Sequence, residues 1–577
     1  MEIKIELGNW QYNAGVVGLH EILTFTNKEC VKLEDDSMTF DSKELEGFEE
    51  KYFAYLIEMY KKSLPWYKIV SYKDRVEKLL TDIEIEPFEE VINENIIKEI
   101  DNYIKSILKY YLKSKSIASA YEFIKGEINP LEIEKELKGI SLKKNENISA
   151  KKDEIIESLE KVKKVIEYFE LEDSKKYIGG KNIVYSVVKN GWNKVSFLNP
   201  QTKEKDIYKD FKNYFVEPTK QYLEEDKSKY KYSCFICDRE LKKFENDFSF
   251  LNNTGFDVAR KPSHVWNFQN DVAMCPICKL VYSCIPAGFS YVHGAGVFIN
   301  ANINIKNLIK VNTKIKSDIY REEKDSGIYK ILSNGLRDGI KIKLKENLKE
   351  NIIKNEKYEL EDIQLVRYEN ENYYFNILSK NMIRVVNDCK KEFDYLLNNS
   401  FLENGSRYIL MDEVMKRVLN NENLFSLIHR ALYSKNSIKD KNYISTSSII
   451  SMLKINFEIL KGVGYMEDKE RDIIVRGRVA GRELRKKYEG KDADHKISGI
   501  AYRILNGIKT NNIDMTMDTI LNCYLYCKEQ VPSIITEILI DNEFHRTVGY
   551  AFVTGLLGKD YNPNENKDND KIDGEGN

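Results

Sequence analysis

The chain has 577 residues, 42% of them hydrophobic and 32% charged, with a formal net charge of −2. That length suits three or four domains with real cores, and the near-neutral balance excludes a global basic field as the basis of any nucleic-acid affinity. The stretch 560–577 carries six acids against two lysines, so the remainder is about +2 and phosphate affinity has to come from local patches.

Residues 2–7 alternate apolar and charged side chains, the pattern of an edge strand. Gly8-Asn9-Trp10 turns the chain into a short helix starting near Tyr12. Phe53, Leu56, Ile57, Tyr60 and Leu64 fall on one helical face before Pro65. Ile97, Ile100, Ile104, Ile107 and Tyr111 repeat that spacing, as do Ile155, Leu159, Val162, Ile166 and Phe169. Composition shifts near Gly179-Gly180 to an aromatic, turn-rich stretch that lasts to about Asn312. Residues 280–304 hold no Asp, Glu, Lys or Arg, but Pro286, Gly288, Gly294 and Gly296 interrupt them, which predicts buried strands and turns instead of a membrane span. Residues 363–368 and 373–378 flank Glu369-Asn370-Glu371-Asn372 and read as a β-hairpin. Beyond about 380 the pattern is helical, with stripes at Met517, Ile520, Leu521 and Tyr524 and at Phe544, Val548, Phe552 and Leu556. The acidic, Asn-rich tail after Lys559 has a disordered composition. The start carries no signal-peptide pattern, so a cytoplasmic location without a membrane partner is expected.

The fold class expected is therefore α+β: a mixed N-terminal region with an inserted zinc-finger module, followed by a C-terminal α-helical bundle. The divisions fall at 1–178 (mostly helical, with a first strand), 179–312 (the zinc-binding module and adjoining strands), 313–380 (a hairpin-containing segment completing the N-terminal domain), 381–559 (the helical bundle) and 560–577 (the tail).

Four of the nine cysteines form two pairs, Cys234-Phe-Ile-Cys237 and Cys275-Pro-Ile-Cys278, separated by 37 residues. Two residues between thiolates let both sulfurs of a knuckle reach one ion, and two knuckles complete a tetrahedron. Filling all four positions with protein leaves none for water, so the expected Zn2+ is structural. Four buried free cysteines are the bland reading, and Cys284 or His264 is an alternative for one ligand. A deaminase-type catalytic zinc fails: no His-x-Glu occurs, and the proline follows Cys275 instead of preceding it.

Other chemistries lack their parts. No phosphate-binding G-x-x-x-x-G-K-[ST] loop, no H-E-x-x-H and no Gly-Gly-Asp-Asp is present, and the six histidines are scattered singly. The expectation is a protein without an active site. Gly15-Val-Val-Gly18 has the form of a nucleic-acid-binding GxxG loop, but small residues for close helix packing explain it better.

One segment stands out as a nucleic-acid candidate. Arg471, Arg476, Arg478, Arg482, Arg485, Lys486 and Lys487 face only Asp472 and Glu483, a net +5. Arg478, Arg482 and Arg485 share a helical face, and Arg471 falls on that side. A row of bidentate donors at this spacing suits a phosphate backbone. The competing readings are a solvated face or a dock for an acidic partner.

The Gly8-Asn9-Trp10 turn with Tyr12-Asn13-Ala14-Gly15 and Gly18-Leu19, the two Cys-x-x-Cys pairs and the ending Phe552-Val-Thr-Gly-Leu-Leu together resemble the CXXC–CXXC family of CRISPR-associated proteins, the large subunit of type I-B Cascade effector complexes. The resemblance runs nearly end to end. It implies a non-catalytic subunit of an antiviral, RNA-guided surveillance complex, near the handle of the guide RNA (crRNA). Such a subunit recognises the motif adjacent to the target (PAM), helps open the duplex, stabilises the R-loop by holding the displaced strand, and recruits a separate helicase–nuclease. Its partners would be the guide ribonucleoprotein, the backbone and handle-binding subunits, and target double-stranded DNA. Sequence choice is delegated to guide pairing. In related systems the C-terminal bundle mimics, or is separately translated as, a small subunit; Met452 and Met466 are plausible internal starts. Asn13 and residues 289–300 are candidates for reading the adjacent motif, with packing an equal alternative. The competing functions are a nuclease or polymerase-like effector subunit and a free-standing zinc-ribbon RNA-binding or regulatory protein.

Overall fold

In the computed structural model, which describes residues 1–140, 148–252, 272–292, 294–301, 304–321, 363–377, 379–397, 399–403, 406–437 and 444–558, the opening alternation becomes strand β1 (Glu2–Glu6). Ile3 and Ile5 point into the core while Glu2, Lys4 and Glu6 face out. Gly8 ends the strand, and the Asn9 carboxamide accepts from the Gln11 and Tyr12 amides at 3.0 and 2.9 Å, capping helix α1 (Trp10–Thr24). Strand β2 (Val31–Leu33) and strand β3 (Ser37–Asp41) complete a three-stranded antiparallel sheet in the order β1-β3-β2, with Ile3 opposite Phe40 and Ile5 opposite Met38. Helix α2 (Phe48–Tyr60) buries Phe53, Leu56, Ile57 and Tyr60, the stripe that the sequence predicts.

The described residues form two compact units. The first comprises Met1–Arg321 with Gln364–Phe375; the second has as its described part Ile363 and the chain from Asn376 onward. The first unit holds two cores. One is purely helical: Ile97, Ile100 and Ile104 meet the Ile155, Leu159, Val162, Ile166 and Phe169 face of α3 (Lys152–Glu170), closed by Trp66. The Trp66 indole donates to the Phe169 carbonyl at 2.7 Å, so the polar edge of this large side chain is satisfied. Gly179-Gly180 lies within helical chain running from Glu172 to Ser186. There the glycines admit the side chains of Ile57 and Ile207.

The other core gathers β1, α1 and α2 around the cysteine module. That module consists of a two-stranded knuckle, β4 (Tyr232–Ser233) with β5 (Glu240–Leu241), and helix α4 (Pro276–Ser283), continued by the short α5 (Ile285–Gly288). Strands β6 (Ser290–Val292) and β7 (Ala295–Ala301) come after it, then helix α6 (Ile305–Arg321). The uncharged run predicted as strands and turns is thus helical in its first part. Ile277 to Ser283 are all buried, so the helix is enclosed all round and shows no amphipathic period to betray it. Strands β8 (Ile363–Glu369) and β9 (Asn372–Ile377) extend a sheet ordered β6-β7-β8-β9. The hairpin turn is Asn370-Glu371 at φ +50° and +62°, the paired left-handed geometry that matches strand twist.

The second unit is mainly helical. One correction applies: β10 (Ser400–Glu403) pairs with β11 (Ser406–Ile409) inside the stretch expected to be all helix. Its strands are too short for a period, and the signal was the intervening Asn404-Gly405 dipeptide. The main helices are α7 (Thr446–Gly462), α8 (Ile473–Glu489), α9 (Ile513–Cys527) and α10 (Asn542–Leu557). Every residue of α10 from Thr547 to Leu556 is buried, which makes it the central helix of the unit. No described helix is long and apolar enough to cross a membrane. The molecule is thus α+β, with a four-cysteine module and a helical C-terminal region; the acidic tail and His264 lie outside the described residues.

Candidate metal centre and nucleic-acid interface

The knuckle positions the first cysteine pair. Leaving β4, the chain turns through Cys234 to Cys237, and Asp238 takes a left-handed φ of +57° to bring it back into β5. The Cys234 amide donates to the Arg239 carbonyl at 2.8 Å and the Asp238 amide to the Cys234 carbonyl at 3.0 Å. The second pair rides on a helix start. Cys275 is the N-cap of α4, its Sγ accepting from the Cys278 amide at 3.4 Å, and Pro276 occupies the first helical position, where no amide is needed. Both sulfurs therefore sit at the positive end of a helix dipole, which favours thiolates.

The four Sγ atoms lie within 4.8 Å of one another, and Cys237 and Cys275 approach to 3.6 Å. Metal–sulfur bonds of about 2.3 Å in a tetrahedron would set the sulfurs about 3.8 Å apart, so the cluster fits one tetrahedral ion. Cys234, Cys275 and Cys278 are buried and Cys237 is partly exposed. Without a cation such packing is costly: Cys275 and Cys278 are pushed well above the usual thiol range, first by their contact with the Cys234 sulfur and also by burial. A metal ion removes that conflict by holding all four as thiolates. Cys284 is not in the cluster; its Sγ donates to the Leu280 carbonyl at 3.3 Å.

Residues from elsewhere in the chain close around the sulfurs. The Tyr12 hydroxyl lies 3.6 Å from Cys278 Sγ, and the Cys275 amide donates to Cys234 Sγ at 3.2 Å. Asn9, besides capping α1, donates to the Tyr282 hydroxyl at 3.1 Å, and Tyr12 meets Tyr282 edge-on. Arg239 donates to the Lys4 carbonyl. Burial opposes its charge, yet the Cys237 and Cys275 sulfurs hold it firmly protonated. These supporting roles of Asn9, Tyr12 and Arg239 escape a reading by motif, although the Gly8-Asn9-Trp10 signature pointed at the right segment.

Gly15 and Gly18 are helix-packing residues: added Cβ atoms would come within 2.3 Å of the Val281 carbonyl oxygen and 2.0 Å of the Cys284 carbonyl oxygen. Gly288 answers from α5 against the Ala14 carbonyl at 1.8 Å. Asn13 is fully buried, accepting from the Gly8 amide at 2.8 Å and donating to Asn300 at 2.9 Å. Asn300 in turn donates to Gln364 at 3.2 Å. This amide chain ties α1 to the β6-β7-β8-β9 sheet, which is the packing alternative.

The basic segment forms α8, which begins at Ile473, so Arg471 precedes the helix and does not extend its face. Ile473, Ile474, Gly477, Ala480, Gly481, Leu484 and Tyr488 are buried. Gly481 and Gly555 allow backbone-to-backbone approach of α8 and α10; a Cβ on Gly481 would lie 2.0 Å from the Phe552 carbonyl oxygen. The cations on the other side are unequal. Arg476 holds Glu537 at 2.5 Å, Lys487 holds Glu529 at 2.6 Å, and Arg471 lies 3.8 Å from Glu458. Arg485 pairs with Glu489 at 2.6 Å and its side chain is only 13% exposed. Arg482 and Lys486 flank Glu483 at 3.4 and 3.8 Å. Arg478 makes no ion pair among the described residues. Arg478 and Arg482, one turn apart on α8, line a groove of 240 Å³ together with Ile450, Val475 and Val479.

Comparison with curated proteins and with solved structures finds no match. Residues 227–290, which carry both cysteine pairs, the knuckle and the whole of α4, match the family model described as CRISPR-associated protein (Cas_CXXC_CXXC).

Proposed function

We propose that this chain is the non-catalytic large subunit of a type I-B CRISPR Cascade complex, acting in the cytoplasm in antiviral defence. The observation that carries the reading is the meeting of two independent signatures at one place: the N-terminal turn and helix pack Tyr12 onto Cys278, inside the segment that matches the family. In this reading the four cysteines hold a structural Zn2+ that staples α1, the knuckle and α4 into one platform. The metal supplies rigidity and no reaction step.

The platform recognises the target-adjacent motif, assists duplex opening and recruits the helicase–nuclease, while the guide RNA with its backbone and handle-binding subunits supplies sequence. The basic helix meets the phosphates of target DNA or of the displaced strand. Arg478 leads in that role because it makes no ion pair among the described residues, with Arg482, whose pair with Glu483 is long at 3.4 Å, beside it; Arg471, Arg476, Arg485, Lys486 and Lys487 join by exchanging their ion pairs, of which the exposed ones are individually worth little. Of the two internal starts, Met466 lies between α7 and α8 and would yield a product that keeps α8 to α10 whole, whereas Met452 falls within α7.

A plasmid-interference assay in the native host tests the role. Deleting the gene abolishes exclusion of a targeted plasmid, the wild-type chain restores it, and Cys234→Ser fails to restore it. Unimpaired interference in the deletion strain contradicts the proposal.

A further inference from the structure

The groove on α8 lies where the described chain ends. Val475 and Val479, 54% and 40% exposed, line it beside the two arginines. The Arg482 Nε is shielded from solvent and has no hydrogen-bond partner among the described residues. A buried guanidinium nitrogen without an acceptor is a position that an anionic group would satisfy.

Helix α10 delivers the chain to this spot. A Cβ on Gly555 would lie 2.0 Å from the Arg478 carbonyl oxygen and 2.9 Å from the Arg482 backbone nitrogen. One on Gly558, the last residue described, would lie 3.1 Å from the Thr446 methyl, one turn before Ile450 on α7. The sequence beyond Gly558 has the complementary chemistry. Tyr561 comes three residues after Gly558, within about 10 Å of extended chain. Glu565, Asp568, Asp570, Asp573 and Glu575 come next, and 560–577 sums to −4.

We propose that the acidic segment 560–577 docks on the α8 groove, with Tyr561 over Val475 and Val479 and the carboxylates beyond it on Arg478 and Arg482, and that it competes there with phosphate. The docking stands on the groove and the exit point of α10. The competition rests on the nucleic-acid reading given above. Tethering supplies an effective concentration in the millimolar range for a short linker, enough for weak ion pairs to hold until a polyanion of higher charge density displaces them.

A benzophenone photocrosslinker placed at Tyr561 in the full-length chain tests the docking. The expected product is an intramolecular crosslink to peptides carrying Ile450 or Val475–Val479, lost at high salt and in Arg478→Glu/Arg482→Glu. Crosslinks confined to other surfaces, crosslinks only between copies or to other proteins, or a yield equal to that from a crosslinker at exposed Tyr502 overturn it. A full-length variant with the six acids of 560–577 changed to Asn or Gln tests the competition on a mixed-sequence oligonucleotide, single-stranded and duplex. Binding roughly tenfold tighter than wild type at low salt is expected, and equal affinity overturns the competition. Absence of binding by both forms contradicts the nucleic-acid reading instead, while the crosslink still decides the docking.

Discussion

At the residue scale, the cysteines and glycines carry the sharpest consequences. In Cys234→Ser, a sulfur that accepts from the Cys275 amide is lost, and with it one of the four sulfurs placed to hold a metal ion. Zinc content by elemental analysis should fall from one per chain towards none, with the melting temperature lower by roughly 10 °C, because metal binding is part of the folding free energy. Retained zinc in this variant would mean that another group completes the site. Gly18→Ala places a methyl group where the Cys284 carbonyl already stands, 2.0 Å away, so α1 and α4 have to separate. A loss of about 2–3 kcal/mol in urea unfolding is expected; a neutral result would mean that the helices slide freely. Arg478→Ala with Arg482→Ala should weaken DNA binding alike across sequences. It should also flatten the salt dependence by about 1.8 in log K per log salt, two phosphate contacts' worth. An unchanged slope would assign this face to protein.

At the element scale, the central helix α10 makes stability pH-dependent. His545 is fully buried, its Nε2 3.0 Å from the Thr516 hydroxyl, and burial lowers its pKa below the usual imidazole value. The unfolded chain then binds the proton more readily than the folded one. The stability this histidine contributes is therefore complete above about pH 6.5 and is lost as pH falls below that value. Urea midpoints measured from pH 7.5 to 5.5 should decline, and His545→Gln should flatten the decline; an equal slope in the variant would place the titration elsewhere. The elements themselves were legible in proportion to how one-sided they are. Strand β1 alternates, and α2 and α3 carry clean apolar stripes, so periodicity finds them. Helix α4, enclosed on all sides, has no stripe to read, and β10 and β11 are too short to show a period. For the site, cysteine spacing was enough to nominate the four ligands, because ligand geometry is local along the chain. It says nothing of Tyr12 or Arg239, which reach the sulfurs through tertiary packing. The basic helix was visible as charge, but which of its cations are already paired is decided by Glu537, Glu489 and Glu529, two of them more than 40 residues away in sequence from their partners.

At the scale of the whole molecule, a sulfur-bound platform in the first unit and an arginine-edged groove in the second suit a protein that binds and positions more than one partner. A subunit of the proposed assembly does not work alone, and what the chain is bound to in the cell is the most direct test of that proposal. The decisive measurement is affinity purification of the tagged, full-length chain from its native host, with sequencing of the bound RNA and identification of the bound proteins. Short RNAs of uniform length sharing a constant handle, together with repeated backbone subunits, are the predicted result. A monomer recovered free of RNA and of other subunits would contradict the Cascade assignment and return the chain to the reading of a free-standing zinc-ribbon protein.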